Sequence, residues 1–253
     1  MYWVEILSRI QFAFTISFHI LFPAFSVGLA TFLMIFEALW LITKKDKYLA
    51  IVKFWTKVFA LTFGMGVVSG IVMEFQLGAN WAGFSQKVGP VLGSLFTYEV
   101  LTAFFIEAGA LGIMLFGWGK VNKYVHFATT FVIFVGVILS AFWILSANSW
   151  MQTPSGVKFI NGEFVVYSWM DVILNPSVIP RFLHMVLASY LSTLLVILGV
   201  SSFYILKDCY HQFAKICIKF SVVSILVLSF CQVVVGDDVG VEVHKNQPIK
   251  TAA

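Results

Sequence analysis

The chain is poor in charge and in patterned cysteine, and each shortage removes a class of function. Only 11% of its 253 residues are Asp, Glu, Lys or Arg, where a soluble domain carries about 25%. The net charge of +4 is small, and no run of Lys and Arg gathers to meet a phosphate backbone, so nucleic acid is not an expected partner. Cys209, Cys217 and Cys231 are odd in number and lack CxxC spacing. They exclude a disulfide framework and a thiolate metal cluster, and read as packing residues. The opening stretch MYWVEILSRIQFAF lacks a basic n-region and a small-residue cleavage site, so it is expected to stay as part of a first span. Walker loops, zincin motifs, CxxCH attachments and nucleophile elbows are also missing.

What remains is apolar. Hydrophobic residues make up 60% of the chain, with 27 Phe, 8 Trp and 8 Tyr. A spanning helix needs about 20 apolar residues, and that template predicts an all-α polytopic bundle of six spans, at 11–42, 54–77, 94–118, 125–147, 180–206 and 215–236. The connections are short and charged except for a long one between the fourth and fifth spans. Residues 237–253 then read as the start of an external loop. Alternate connections and their helix ends hold Lys44, Lys45, Lys47, Lys53, Lys57, Lys120, Lys123, Lys207, Lys215 and Lys219, ten of the sixteen basic residues. The excess of Lys places these ends in the cytoplasm and the N-terminus outside.

Several polar residues fall inside the spans. Glu99 and Glu107 lie in YEVLTAFFIEAG, and an ionised carboxylate at the bilayer centre costs at least about 2.5 kcal/mol. Each needs a partner, a proton or water. At 100° per residue they are offset by about 80° around a regular helix, so both can face one side of a bundle. A structural hydrogen-bonded pair is the plain reading; a proton relay or metal ligation is the sharp one. His19 lies about 12 Å into the first predicted span, close to the level of Glu99. A satisfied core imidazole and a metal ligand both remain open for it. Ser140 falls near the depth of the two acids, and His184 sits just inside the fifth span after Pro180. His126 starts the fourth span at the cytoplasmic edge, where a solvated imidazole is expected, and His211 and His244 fall in loops. Gly66 and Gly70, in GMGVVSG, form a GxxxG pattern that lets helices approach closely.

The blocks SRIQFAFTISFHILFP, VSGIVMEFQLGANW, YEVLTAFFIEAG, LSAFWILSANSWMQTP and VVGDDVG, in this order, resemble subunit I of the cytochrome bd-type quinol oxidases. The resemblance runs the whole length. It implies that His19 ligates a high-spin haem and His184 the low-spin haem b, that Glu99 lies in the high-spin haem region, and that Glu99, Glu107 and Ser140 deliver protons to it. Arg9 is the match for a haem-propionate partner and Lys250 for a quinol contact. His126, Glu74 and Lys57 fall on family blocks without an assigned step.

The implied cofactors are low-spin haem b, high-spin haem b and haem d, with quinol as substrate. The implied partners are a second membrane subunit, small accessory subunits and membrane lipid, in a bacterial inner membrane. The resemblance also implies departures. The chain is expected to stop within the external quinol-binding loop, before the family's further helices and the remaining haem ligands. Ala108 stands where some relatives carry a hydroxyl residue. The implied activity is electron transfer from quinol through haems b to haem d, with reduction of oxygen to water and generation of proton motive force. A truncated, inactive haem-binding fragment and a proton-coupled transporter are the alternatives.

Overall fold

A computed structural model describes residues 2–252. Six segments are long and apolar enough to cross a membrane: Trp3–Thr43, Asp46–Gly78, Ala82–Phe116, Lys123–Gln152, Trp169–Leu206 and His211–Asn246. The chain is thus an all-α, multi-pass membrane bundle. Helix α1 spans Tyr2–Thr43 and α2 Asp46–Gly78. The third span comprises α3 (Ala82–Glu99), a π-helical turn (Val100–Phe104) and α4 (Phe105–Phe116). Helix α5 (Lys123–Gln152) leads to a hairpin of β1 (Val157–Ile160) and β2 (Glu163–Val166), then the short α6 (Trp169–Ile173). Helices α7 (Val178–Leu206), α8 (His211–Asn246) and α9 (Pro248–Ala252) complete the described chain.

Helix α1 packs along α2, α5 and α7, and α7 packs along α8. The core sits where these helices meet, around Leu29, Leu33, Phe36, Ile51, Trp55, Phe59, Ile133 and Ile197, all fully buried. Aromatic rings fill it: Phe36 meets Phe32 at 4.3 Å and Phe220 at 5.1 Å between centroids. A second cluster, with Val91, Leu95, Trp150 and Val172, joins α3, α5 and α6 beneath the hairpin.

Two expectations need correction. Residues 237–246 do not begin a loop; they continue α8, and His244 lies in its last turn. Once a helix is nucleated in the apolar region, each further residue adds a backbone bond without needing an apolar side chain. Here Lys245 pairs with Glu242 at 3.7 Å and the Asn246 amide donates to the Glu242 carbonyl at 3.0 Å. Ala253, the end of the expected loop, lies outside the described residues. His211 likewise opens α8. The other spans also outrun the apolar windows used to place them, α1 by starting at Tyr2.

Candidate functional site

The third span carries the two carboxylates, and its π turn sets their direction. Five residues of π-helix, Val100–Phe104, lie between Glu99 and Glu107. A π turn accommodates one extra residue, which absorbs about 100° of rotation and reduces the expected 80° offset to about 20° of opposite sense. Both side chains consequently face α5. Ser140 Oγ donates to Glu99 Oε1 at 2.6 Å. Glu107, 5% exposed, packs on Gly136, one turn earlier on α5. A methyl group at position 136 would lie 2.6 Å from Glu107 Cγ, so the carboxyl occupies space that only glycine leaves. Glu107 Oε1 is buried without a hydrogen-bond partner. Trp143 closes this face by donating Nε1–H to Thr102 Oγ1 at 2.9 Å and stacking on Tyr98 at 5.3 Å.

His19 and His184 stand on separate helices, each against a neighbour. His19 Nδ1 lies 3.0 Å from Ser69 Oγ of α2. His184, on α7, has Gln232 Nε2 of α8 at 3.2 Å from both ring nitrogens, and Gln232 Oε1 is buried and unpartnered. Among the described residues no three His, Cys, Asp or Glu side chains converge as a metal-ion cage. Arg9 is exposed and pairs with Glu5, one turn earlier on α1, at 2.5 Å. Lys250 Nζ donates to Gln152 Oε1 at 2.6 Å, where α9 meets the end of α5. Glu74 and Lys57 are exposed.

His126 is not a solvated edge residue. It is 2% exposed, with Nδ1 2.7 Å from Glu37 Oε1 and Nε2 3.1 Å from the Met114 carbonyl. Thr130 Oγ1 donates to Glu37 Oε2 at 2.6 Å, and the Trp118 ring lies 3.7 Å from the imidazole. The connection after α4 folds back over the start of α5, so Trp118 covers the ring that water would otherwise reach. Sequence reasoning missed Glu37, although an acid inside the first apolar run was signal enough. It also missed Ser69 and Gln232, whose importance depends on which face of α2 and α8 meets a histidine.

These features define a membrane helix bundle with single imidazoles on different helices and two carboxylates of one span, Glu107 buried and Glu99 half-buried, turned onto a common neighbour. The chain belongs to the family described as "Cytochrome bd terminal oxidase subunit I", whose profile matches residues 7–253. It is 36% identical over 251 residues to the cytochrome bd-II ubiquinol oxidase subunit 1 of Escherichia coli (strain K12), covering 98% of this chain and 48% of that protein. It is 37% identical over 255 residues to the cytochrome bd ubiquinol oxidase subunit 1 of Bacillus subtilis (strain 168), covering 98% of this chain and 53% of the relative. The chain thus spans about half the length of the curated relatives it matches. The solved bd oxidase from Geobacillus thermodenitrificans is similar with a TM-score of 0.92 and 28% identity, over 98% of this chain and 57% of that one.

Proposed function

We propose that the chain is the haem-bearing part of a terminal respiratory oxidase in a bacterial inner membrane. It passes electrons from quinol through haems b to haem d, reduces oxygen to water and generates proton motive force. The activity belongs to an assembly with the rest of the family's length and a second membrane subunit. The observation that carries this reading is the π turn that brings Glu99 and Glu107 onto one face of α5 inside an apolar bundle.

The residues present fit haem. Each of the two imidazoles meets one polar side chain of the facing helix, Ser69 for His19 and Gln232 for His184, and its Cε1 edge lies against a glycine of that helix, Gly70 for His19 and Gly236 for His184. Those glycines let the facing helix backbone come up to the ring edge, where a larger residue would crowd it. His19 would hold the high-spin haem and His184 the low-spin haem b, each through a ring nitrogen, and Arg9 at the outer end of α1 would meet a propionate. Bound haem supplies the electron path and the iron at which oxygen is reduced. The chain's own residues relay the protons. Glu107 holds one at its unpartnered Oε1, in a site that excludes bulk water. Ser140 orients the Glu99 carboxyl by donating to Oε1, and Glu99 would belong to the high-spin haem region. Protons enter from the Lys-rich side, and Lys250 contacts quinol on the opposite side. A π turn keeps the helix continuous, with Phe105 N–H donating to the Val100 carbonyl, so the broken helix of a transporter is not favoured.

Reduced-minus-oxidised spectra of the assembled complex test the reading. His184→Ala is expected to remove the low-spin haem bands while the protein still inserts; unchanged bands would strike His184 from the ligands. Glu107→Gln is expected to slow oxygen uptake by about 100-fold, the scale of a lost proton-transfer group, with haem content retained. Full activity in that variant would end the proton-delivery assignment.

A further inference from the structure

We infer that Ser69 is a positioning residue for the His19 imidazole, fixing its tautomer from the neighbouring helix. The inference rests on the reading of His19 as an axial haem ligand. Ser69 is 8% exposed and belongs to α2, whereas His19 belongs to α1. Its Oγ lies 2.8 Å from the Met65 carbonyl and 3.0 Å from the Gly66 carbonyl, both within α2. A hydroxyl has one proton to donate and two lone pairs to offer. With the proton committed to those carbonyls, Oγ meets His19 Nδ1 as an acceptor, at 3.0 Å. Nδ1 then carries the ring proton, and Nε2 is the bare nitrogen, the form a metal ligand needs.

Two further features hold the ring at that angle. Gly70, beside Ser69, packs so closely that a Cβ there would lie 3.3 Å from His19 Cε1. Gly66, one turn earlier, faces Phe22 and Pro23 of α1, 3.5 Å and 3.8 Å from where a Cβ would stand. The GMGVVSG stretch therefore brings the α2 backbone up to α1 at the level of the histidine, which places Oγ within reach of Nδ1. Helix α1 gives less support of its own here. Pro23, four residues after His19, has no N–H to donate to the His19 carbonyl. The ring's orientation is thus set by α2.

The N–H to Oγ bond also increases the electron donation of Nε2, as such outer partners do for metal-bound imidazoles. A purely structural serine would affect assembly and leave the ligand's electronic signature alone. The experiment compares Ser69→Ala, Ser69→Thr and His19→Ala in the assembled complex, reading the ferrous iron–histidine stretching band by resonance Raman and the haem retained through purification. Ser69→Ala is expected to move the band to lower frequency and weaken haem retention by about 10-fold, while Ser69→Thr, which keeps a hydroxyl, stays close to wild type. His19→Ala is expected to lose the band. Retention of the band in His19→Ala would overturn the ligand reading and the inference with it. If His19→Ala loses the band while Ser69→Ala leaves band and retention unchanged, the inference alone falls. A threonine variant shifted as far as the alanine variant would also overturn it, since the hydroxyl would then not be the cause. Should Ser69→Ala not assemble, Ser69→Cys replaces it as the weak-acceptor variant under the same criteria.

Discussion

At the scale of single residues, Glu37 and His126 form the most completely enclosed ionisable contact among the described residues, with side chains 0% and 3% exposed. Every polar atom of the pair has a partner: Thr130 and His126 serve the carboxylate, and the Met114 carbonyl serves the second ring nitrogen. Along α5, about 15 Å separates His126 from Gly136, and the buried apolar Ile133 lies in that interval, in one cluster with Met114 and Ala110 of α4. The pair therefore clamps α1 to α5 and stands apart from the two acids of the third span. Removing one member strands the other. His126→Leu is expected to lower stability by about 3–5 kcal/mol, and adding Glu37→Met should restore most of the loss. Thermal unfolding of the purified protein in detergent measures both; equal melting temperatures for wild type and His126→Leu would deny the clamp. The sequence shows that acids and histidines lie within apolar runs, because type and position suffice for that. It does not show that His126 is covered, because the covering group is Trp118, supplied by a turn whose path is a tertiary matter.

At the scale of elements, the π turn is the feature that a regular-helix estimate cannot contain. Nothing in VLTAF announces it, since each of its residues is compatible with an ordinary helix. Its cause is tertiary: the fit of Glu107 against Gly136 and of Ser140 against Glu99. Deleting Leu101 is expected to restore an α-helical register and swing Glu107 away from α5 by about 100°. Oxygen uptake of the assembled complex should then fall to the level of Glu107→Gln while the span still inserts. Wild-type uptake in the deletion would show that this register carries no weight. The hairpin in the long connection is legible in the sequence, although a reading for apolar spans passes over it. Asn161 and Gly162 both have positive φ, 52° and 89°, between antiparallel strands pairing Ile160 with Glu163, the Asn-Gly turn that such hairpins favour. The polar clasp beside it is not legible, because its members meet only when two helix ends do. Asn175 donates to the Ser146 and Val172 carbonyls at 3.2 Å and 3.1 Å, and Thr153 meets Ser177 at 2.7 Å, tying the start of α7 to the end of α5.

At the scale of the whole molecule, the six spans are readable because a membrane imposes its length and composition on every helix that crosses it. The order of the family blocks is readable because it is a property of the linear chain. Which helices touch is not encoded locally. Gln247 donates to the Gln152 carbonyl at 2.9 Å, so the end of α8 docks on the end of α5. Paired Gln152→Cys and Gln247→Cys substitutions are expected to form a disulfide on mild oxidation in native membranes, seen as a mobility shift that thiol reductant reverses. Failure to cross-link under conditions that oxidise an exposed control pair would place the tail elsewhere. The length of α8 gives this docking its consequence. At 36 residues the helix is about 54 Å long against a hydrocarbon core of about 30 Å. It is a mast that overtops the lipid: crossing upright, about 24 Å of it would stand clear of the hydrocarbon, and that surplus is what lets Gln247 and Lys250 reach Gln152 at the end of α5.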